Sequence, residues 1–337
     1  MKRSPPNPQS GAALITVLLI VAAMSGVAVA LTSGLTNALQ RTSALEAQSQ
    51  LRLYAASAEE VAEAQLGTLF NQFGGKLNAE SPGMSEPIRF PLERGLVEIT
   101  VFDASNCFNV NLLASSEAES ASQSGGTTST QTELQEDLVL ILESAELDRR
   151  QAQELVAAMV DWMDPDLIAE LGGAEDSFYS DLDPPYRTSG LAFETDSELR
   201  AVRGFDPLTL AEIGGLACVI PSKAQRKDRP INVNTLPPEH AARLMPVFNQ
   251  AVDVSDLQQI LAGRPLAGWS DLESFLSEPP LDALIPEAVR RNELSIVSTH
   301  VAISAKVAYR GHGMVMNYLF EVEPGRAVTL LRRERVS

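Results

Sequence analysis

From Gly11 to Leu31 the chain reads Gly-Ala-Ala-Leu-Ile-Thr-Val-Leu-Leu-Ile-Val-Ala-Ala-Met-Ser-Gly-Val-Ala-Val-Ala-Leu, and no charge occurs between Arg3 and Arg41. As a helix, the residues from Ala12 to Leu31 reach about 30 Å, the thickness of one bilayer core. This stretch meets a membrane, and two readings of it give different proteins. In one, Lys2 and Arg3 are the positive flank of a secretory signal, and Ala28-Val29-Ala30 is the small-residue site at which a soluble protein is released. In the other, the cut falls after Gly11 and the run stays as the first half of a long helix.

The residues that follow favour retention. Residues 1–10, with Pro5, Pro6 and Pro8, read as a short leader. From Ala12 no proline appears before Pro82, and the apolar run passes into an amphipathic one with Tyr54, Ala58, Val61, Ala62, Leu66 and Leu69 on one helical face. The pattern predicts one helix over 12–70, transmembrane over 12–31. Positive residues before the run place Met1 in the cytoplasm and the bulk of the chain across the inner membrane, in the periplasm.

Gly74-Gly75, Pro82-Gly83 and Pro87 end the helix, and a loop is expected to Gly95. The β-branched segment from Leu96 to Phe102 reads as a strand ending at Asp103. Residues 115–131, rich in Ser, Thr, Gly and Glu, read as a flexible linker. Between 132 and 290 the signals are helical and almost free of strand. Within that span, Thr195–Leu210 and Ser270–Leu284 look weakly alike, each a capping residue followed by apolar residues at threes and fours. Strand alternation returns after Asn292, with a hairpin turn at Gly311-His312-Gly313. The expected fold is α+β: a long N-terminal helix packed on a small antiparallel sheet (71–114 and 291–337), with an all-α domain (132–290) inserted between strands.

The formal charge of −18 excludes nucleic acid as a partner, because phosphate contacts need a surplus of Lys and Arg. Cys107 and Cys218 are the only cysteines; the periplasm permits a bridge between them, against the alternative of two separately buried thiols. His240, His300 and His312 have no nucleophile or metal-ligand spacing around them, and no phosphate-binding glycine loop is present, so an enzyme is the weaker class. The acidic residues are more informative. Asp161, Asp164, Asp166, Glu170, Glu175, Asp176, Asp181 and Asp183 fall within 23 residues that hold no Lys or Arg. A cation with oxygen ligands relieves their repulsion, and the absence of Cys and His favours calcium over zinc. The spacing is not that of an EF-hand, since Gly172 stands where the bidentate Glu belongs, counting from Asp161. A solvated acidic loop is the competing reading, and Asp161 in particular could instead cap or pair with Arg187. Asp164, Asp166, Glu175 and Asp176 are therefore the firmer ligand candidates.

The motif set resembles a known family. The polar leader, Gly11 before a long uncharged helix, and a few strands are similar to type IV pilins and to the pseudopilins of bacterial type II secretion. The helical insert narrows the likeness to the minor pseudopilins called protein K. Its motifs stand here as Phe108-Asn109-Val110-Asn111, Asp161-Trp162-Met163-Asp164-Pro165-Asp166, Gly173-Ala174-Glu175-Asp176 with Tyr179, Pro184-Pro185-Tyr186-Arg187, Ser197-Glu198-Leu199-Arg200 with Val202, and Ile231-Asn232-Val233-Asn234-Thr235. The resemblance implies cleavage after Gly11 by the prepilin peptidase, N-methylation of Ala12, calcium in the helical domain, and assembly with minor pseudopilins I and J at the tip of a pseudopilus. Most such subunits carry Glu at the fifth mature position, where it can pair with the terminal amine of the subunit above; an unpaired charge at that depth is costly. Here that position is Thr16, which suits a subunit with nothing above it. It also fits a merely tolerated polar residue, because Thr can bond its own helix. A soluble periplasmic calcium-binding or hydrolytic protein released by signal peptidase is the opposing reading.

Overall fold

The computed structural model describes residues 9–114, 127–145, 147–221, 230–286, 289–322 and 328–336. Most of the expected leader and residues 115–126 of the expected linker lie outside these.

Helix α1 (Gln9–Phe73) is continuous over 65 residues, so the helical backbone already includes Gly11 and Ala12. It ends where Gly74 and Gly75 take φ of +59° and +79°, a left-handed turn that residues with a Cβ resist. The Gly75 N–H then reaches back to the Phe70 carbonyl at 3.1 Å. The helix has two halves with different surroundings. Every residue from 13 to 46 is exposed, and this stretch includes a segment of mean hydropathy 2.7 that buries nothing within the molecule. From Ala47 the helix lies on a sheet through Ala47, Leu51, Ala55, Ala58, Ala62, Leu66 and Phe70. Spacings of three and four keep these on one stripe, and the four alanines allow close approach to the strands. Val61, expected on that face, is instead 42% exposed.

The sheet comprises β1 (Ile88–Leu92), β2 (Gly95–Asp103), β7 (His300–Tyr309), β8 (His312–Glu321) and β9 (Thr329–Val336), all antiparallel in the order β1-β2-β7-β8-β9. Strand β1 corrects the expectation of a loop up to Gly95. Its Pro91 lacks an N–H and weakens the strand signal, but β1 is an edge strand, where that donor is not needed. Inward residues Val97, Ile99, Val101, Val301, Ile303, Ala305, Val307, Tyr318 and Phe320 meet the helix, and buried Tyr318 donates its hydroxyl to the Ala55 carbonyl at 2.8 Å.

Between β2 and β7 the chain builds two helical modules with separate cores. The first holds α2 (Thr127–Glu143), α3 (Arg149–Met163), α4 (Asp176–Ser180) and α5 (Pro207–Glu212). Helix α2 takes in 127–131, the end of the expected linker. The core of this module also contains Phe108, Val110 and Leu113, so residues 108–113 pack with the insert rather than with the sheet to which the 114 boundary assigned them. The second module holds a 3-10 segment at Pro238–Leu244, α6 (Val254–Ala262) and α7 (Leu272–Leu276) around Phe248, Leu257, Trp269 and Phe275.

The insert is not purely helical. Two-residue parallel strands tie each module together: β3 (Phe108–Asn109) with β4 (Ala217–Cys218), and β5 (Ile231–Asn232) with β6 (Leu294–Ser295). These pairings account for the two Asn-Val-Asn motifs. Asn111 donates to the Phe193 carbonyl and accepts from its N–H, both at 2.8 Å. Asn234 does the same to Trp269, at 3.0 and 2.7 Å. In each module a buried amide thus stands in for a missing strand and pins an aromatic residue just before a capped helical turn. The weak likeness of 195–210 to 270–284 has this structural counterpart.

Candidate metal centre

Helix α3 starts on a capping box, in which Asp148 accepts the Gln151 N–H and Gln151 accepts the Asp148 N–H. Its apolar face fills the first core and its last turn carries Asp161, which is fully buried, with Asp164 as the C-cap. Two carboxylates therefore sit at the end of a helix where unpaired carbonyls already give partial negative charge. The chain then loops out through 165–173 and returns at Gly173, packed so closely on Asp161 that a Cβ there would stand 2.0 Å from Oδ2. That approach admits only glycine, and it places the following Glu175, itself buried, as the N-cap of α4.

Carboxylate oxygens of Asp161, Asp164 and Glu175 lie within 4.8 Å of one another. Asp161 Oδ1 accepts the Glu170 N–H at 3.0 Å. Asp161 Oδ2, Asp164 Oδ1 and both Glu175 oxygens are buried with no hydrogen-bond donor. Buried polar atoms are nearly always paired, and four orphans on three carboxylates in one spot call for a cation or for protons. Burial first, and mutual repulsion second, push Asp164 up to about 6 and Glu175 up to about 7. Burial also raises Asp161, against the hydrogen bonds it accepts, and raises Glu170.

Not all the sequence candidates converge. Asp166 is exposed, and its Oδ1 accepts the Ile168 N–H at 2.7 Å, which shapes the loop. Asp176 accepts from the Thr188 N–H and hydroxyl at 2.9 and 3.0 Å and stands 3.7 Å from Arg187. It is thus Asp176, not Asp161, that meets Arg187, and the structure brings Asp161 into the group in place of Asp166 and Asp176. Three oxygen ligands at this spacing fit a hard cation: metal–oxygen distances of about 2.3–2.6 Å allow ligand oxygens up to about 5 Å apart. Among the described residues this is the one converging group of His, Cys, Asp or Glu. His240 lies in the 238–244 turn, His300 starts β7 and His312 starts β8.

Cys107 and Cys218 are joined, with Cα atoms 5.7 Å apart, beside the β3–β4 pairing. Thr16 lies exposed on α1 and donates its hydroxyl to the Ala13 carbonyl at 2.8 Å. One polar node was not foreseen. Asp103, read only as a strand end, accepts through Oδ2 from Asn232 at 3.1 Å, from Thr235 at 2.5 Å and from the Ser298 hydroxyl, and through Oδ1 from the Ser105 N–H at 2.8 Å. Asn106 adds bonds to the Asn232 N–H and the Thr235 hydroxyl, both at 2.9 Å. This node fastens the sheet to the second module. Its one trace in the sequence is a polar run, Asp103-Ala104-Ser105-Asn106, after an apolar strand.

Comparison with known proteins agrees with these features. Two family models, each described as type II secretion system (T2SS), protein K, match residues 106–222 and 231–296. Type II secretion system protein K of Aeromonas hydrophila is 31% identical over 273 residues, 81% of either chain. That of Klebsiella pneumoniae is 30% identical over 283 residues, 84% of this chain and 83% of the other. A chain in the crystal structure of the GspK–GspI–GspJ complex from the type 2 secretion system of enterotoxigenic Escherichia coli superposes with a TM-score of 0.71. It is 24% identical and covers 88% of this chain and 99% of its own, which shows a shared fold. The two modules, the Asn-Val-Asn pairs and the helix–sheet platform are therefore those of a chain that belongs to the type II secretion system protein K family.

Proposed function

We propose that the protein is a minor pseudopilin that caps or starts a type II secretion pseudopilus by binding minor pseudopilins I and J, and that its role is structural rather than enzymatic. The observation that carries this reading is the division of α1. Its uncovered apolar half suits packing in lipid and against neighbouring helices, and its other half is fixed to a sheet that bears two extra modules. Helix packing in a bilayer gains mainly from van der Waals contact, so the exposed stripe works only with partner helices beside it. A subunit that carries the extra bulk of these modules stacks poorly within a narrow fibre and fits its end. The I–J pairing is drawn from the complex in which the structural neighbour was solved.

In this reading the prepilin peptidase cuts after Gly11, Ala12 becomes the methylated N-terminus in the inner membrane, and Met1 starts in the cytoplasm while the sheet and modules are periplasmic. Thr16, having no charge to pair, belongs to a subunit with nothing above it. Calcium held by Asp161, Asp164 and Glu175 supplies the positive charge that their orphaned oxygens lack and orders the loop between α3 and α4. Asp166 and Asp176 shape that loop from outside. The test of the assembly reading is reconstitution: the periplasmic part, mixed with those of I and J, is expected to run as one complex with one copy of each. Three separate species in size-exclusion chromatography with light scattering would overturn it. Glycosidase-like paired-carboxylate chemistry is not favoured, since Asp161 and Glu175 are buried and their oxygens converge with those of Asp164 rather than standing apart across a substrate.

A further inference from the structure

Loop 165–172 leaves the carboxylate cluster and returns to it, and it carries three well-exposed aliphatic residues, two of them the most exposed among the described residues of the insert. Leu167 is 71% exposed, Ile168 79% and Leu171 100%. Leu191, 71% exposed, lies alongside, since the preceding Gly190 packs on Asp164 and Pro165. Single exposed leucines are ordinary, but several on one short loop are not. Nor is the loop slack. Asp166 fixes the Ile168 N–H at 2.7 Å, Asp161 fixes the Glu170 N–H at 3.0 Å, and the Arg203 guanidinium holds the Gly173 carbonyl at 2.9 Å. Three backbone groups are spent on holding aliphatic side chains out in water.

We propose that this loop is a docking prong, whose Leu167, Ile168 and Leu171 enter an apolar recess on a protein partner rimmed by Lys and Arg, with the cation at Asp161, Asp164 and Glu175 setting its shape. Charge complementarity selects the partner. The prong itself carries exposed Asp166 and Glu170 and no Lys or Arg, and residues 151–186 contain none. The nearby cations are at its base, where Arg150 is paired with Glu154 at 3.1 Å and Arg203 is held by the Gly173 carbonyl. An anionic lipid surface would repel that rim, and so would a second copy of a chain with formal charge −18. The inference rests on the calcium reading for the loop's shape, and the experiment separates the two.

The triple variant Leu167→Ser, Ile168→Ser, Leu171→Ser changes only exposed side chains. It is expected to keep the calcium-induced rise in Tm and the complex with I and J, and to lower export tenfold or more in cells. A benzophenone amino acid at Leu171 in the full assembly is expected to crosslink to one protein, at a peptide flanked by Lys or Arg. That crosslink should fall at least fivefold in the Asp161→Asn background and be absent from a control position, Leu266 of the second module. Unchanged export, or crosslinking to lipid or to a surface without basic residues, overturns the docking role. Absence of a calcium-induced Tm rise in the unmodified protein overturns the calcium reading instead, and the export and crosslinking results then judge the prong on their own.

Discussion

Asp161 shows how a residue's role depends on what it is buried with. The sequence offers eight carboxylates, and ranking Asp164, Asp166, Glu175 and Asp176 above Asp161 has no packing to rest on, because along a loop every Asp offers the same ligand atoms. Packing ranks them: Asp161 at the end of α3 and Glu175 at the start of α4 are buried and face each other, while Asp166 and Asp176 spend their oxygens on neighbouring backbone N–H groups. Calcium at a hundredfold above its Kd is expected to stabilise the module by about 2.7 kcal/mol, read as a Tm rise of roughly 10 °C or more in calorimetry. Asp161→Asn is expected to abolish that rise while leaving the chelated protein no less stable, since it removes a repelled charge; a full calcium response in the variant would contradict the assignment. The pH dependence has a definite sign. In chelator, Asp164 near 6 and Glu175 near 7 hold protons more tightly folded than unfolded, where carboxylates titrate near 4. Their contribution is present at low pH and is lost as pH rises through 6 and 7. Tm in chelator should therefore fall between pH 5 and 8, and calcium should remove most of the fall.

At the scale of elements, what could be read in advance was what periodicity encodes. Helix α1, strands β2, β7, β8 and β9, and the helices of the insert follow from spacing, caps and glycine stops. Strand β1 escapes the sequence reading because Pro91 masks an edge strand, and β3, β4 and β5 because a two-residue pairing has no period; β6 falls within the expected strand region after Asn292 but pairs with β5 rather than joining the sheet. Those short strands matter out of proportion to their length, since each module hangs on one pair and one buried asparagine. Asn234→Ala strands the N–H and carbonyl of Trp269 inside the second core. A cost of about 2–4 kcal/mol is expected by denaturant unfolding, against under about 0.5 kcal/mol for an exposed site such as Leu266→Ser. The Cys107–Cys218 link closes a sequence separation of 111 residues around the first module. Chain entropy gives such a loop up to about 4.7 kcal/mol and measured values usually run lower. Reduction is expected to lower the module's Tm, and two free thiols in the denatured protein purified from the native host would contradict the bridge.

For the whole molecule, the parts are ordered along the chain by the environment each requires: an apolar half-helix, a helix–sheet platform, and two modules fixed to it by polar contacts. The platform and modules are tied by the Asp103 node on one side, and on the other by Arg332, which reaches Asp196 at 2.6 Å and the Val219 carbonyl at 3.1 Å. An apolar helix that is kept, not discarded as a signal, would anchor this body in the membrane. Gly11→Ala is expected to leave uncut precursor in the inner membrane. The most direct measurement is mass spectrometry of the mature N-terminus from the native host. The expected mature chain begins at N-methylated Ala12 with the helix intact; a chain that begins at Leu31 would show that the helix is discarded.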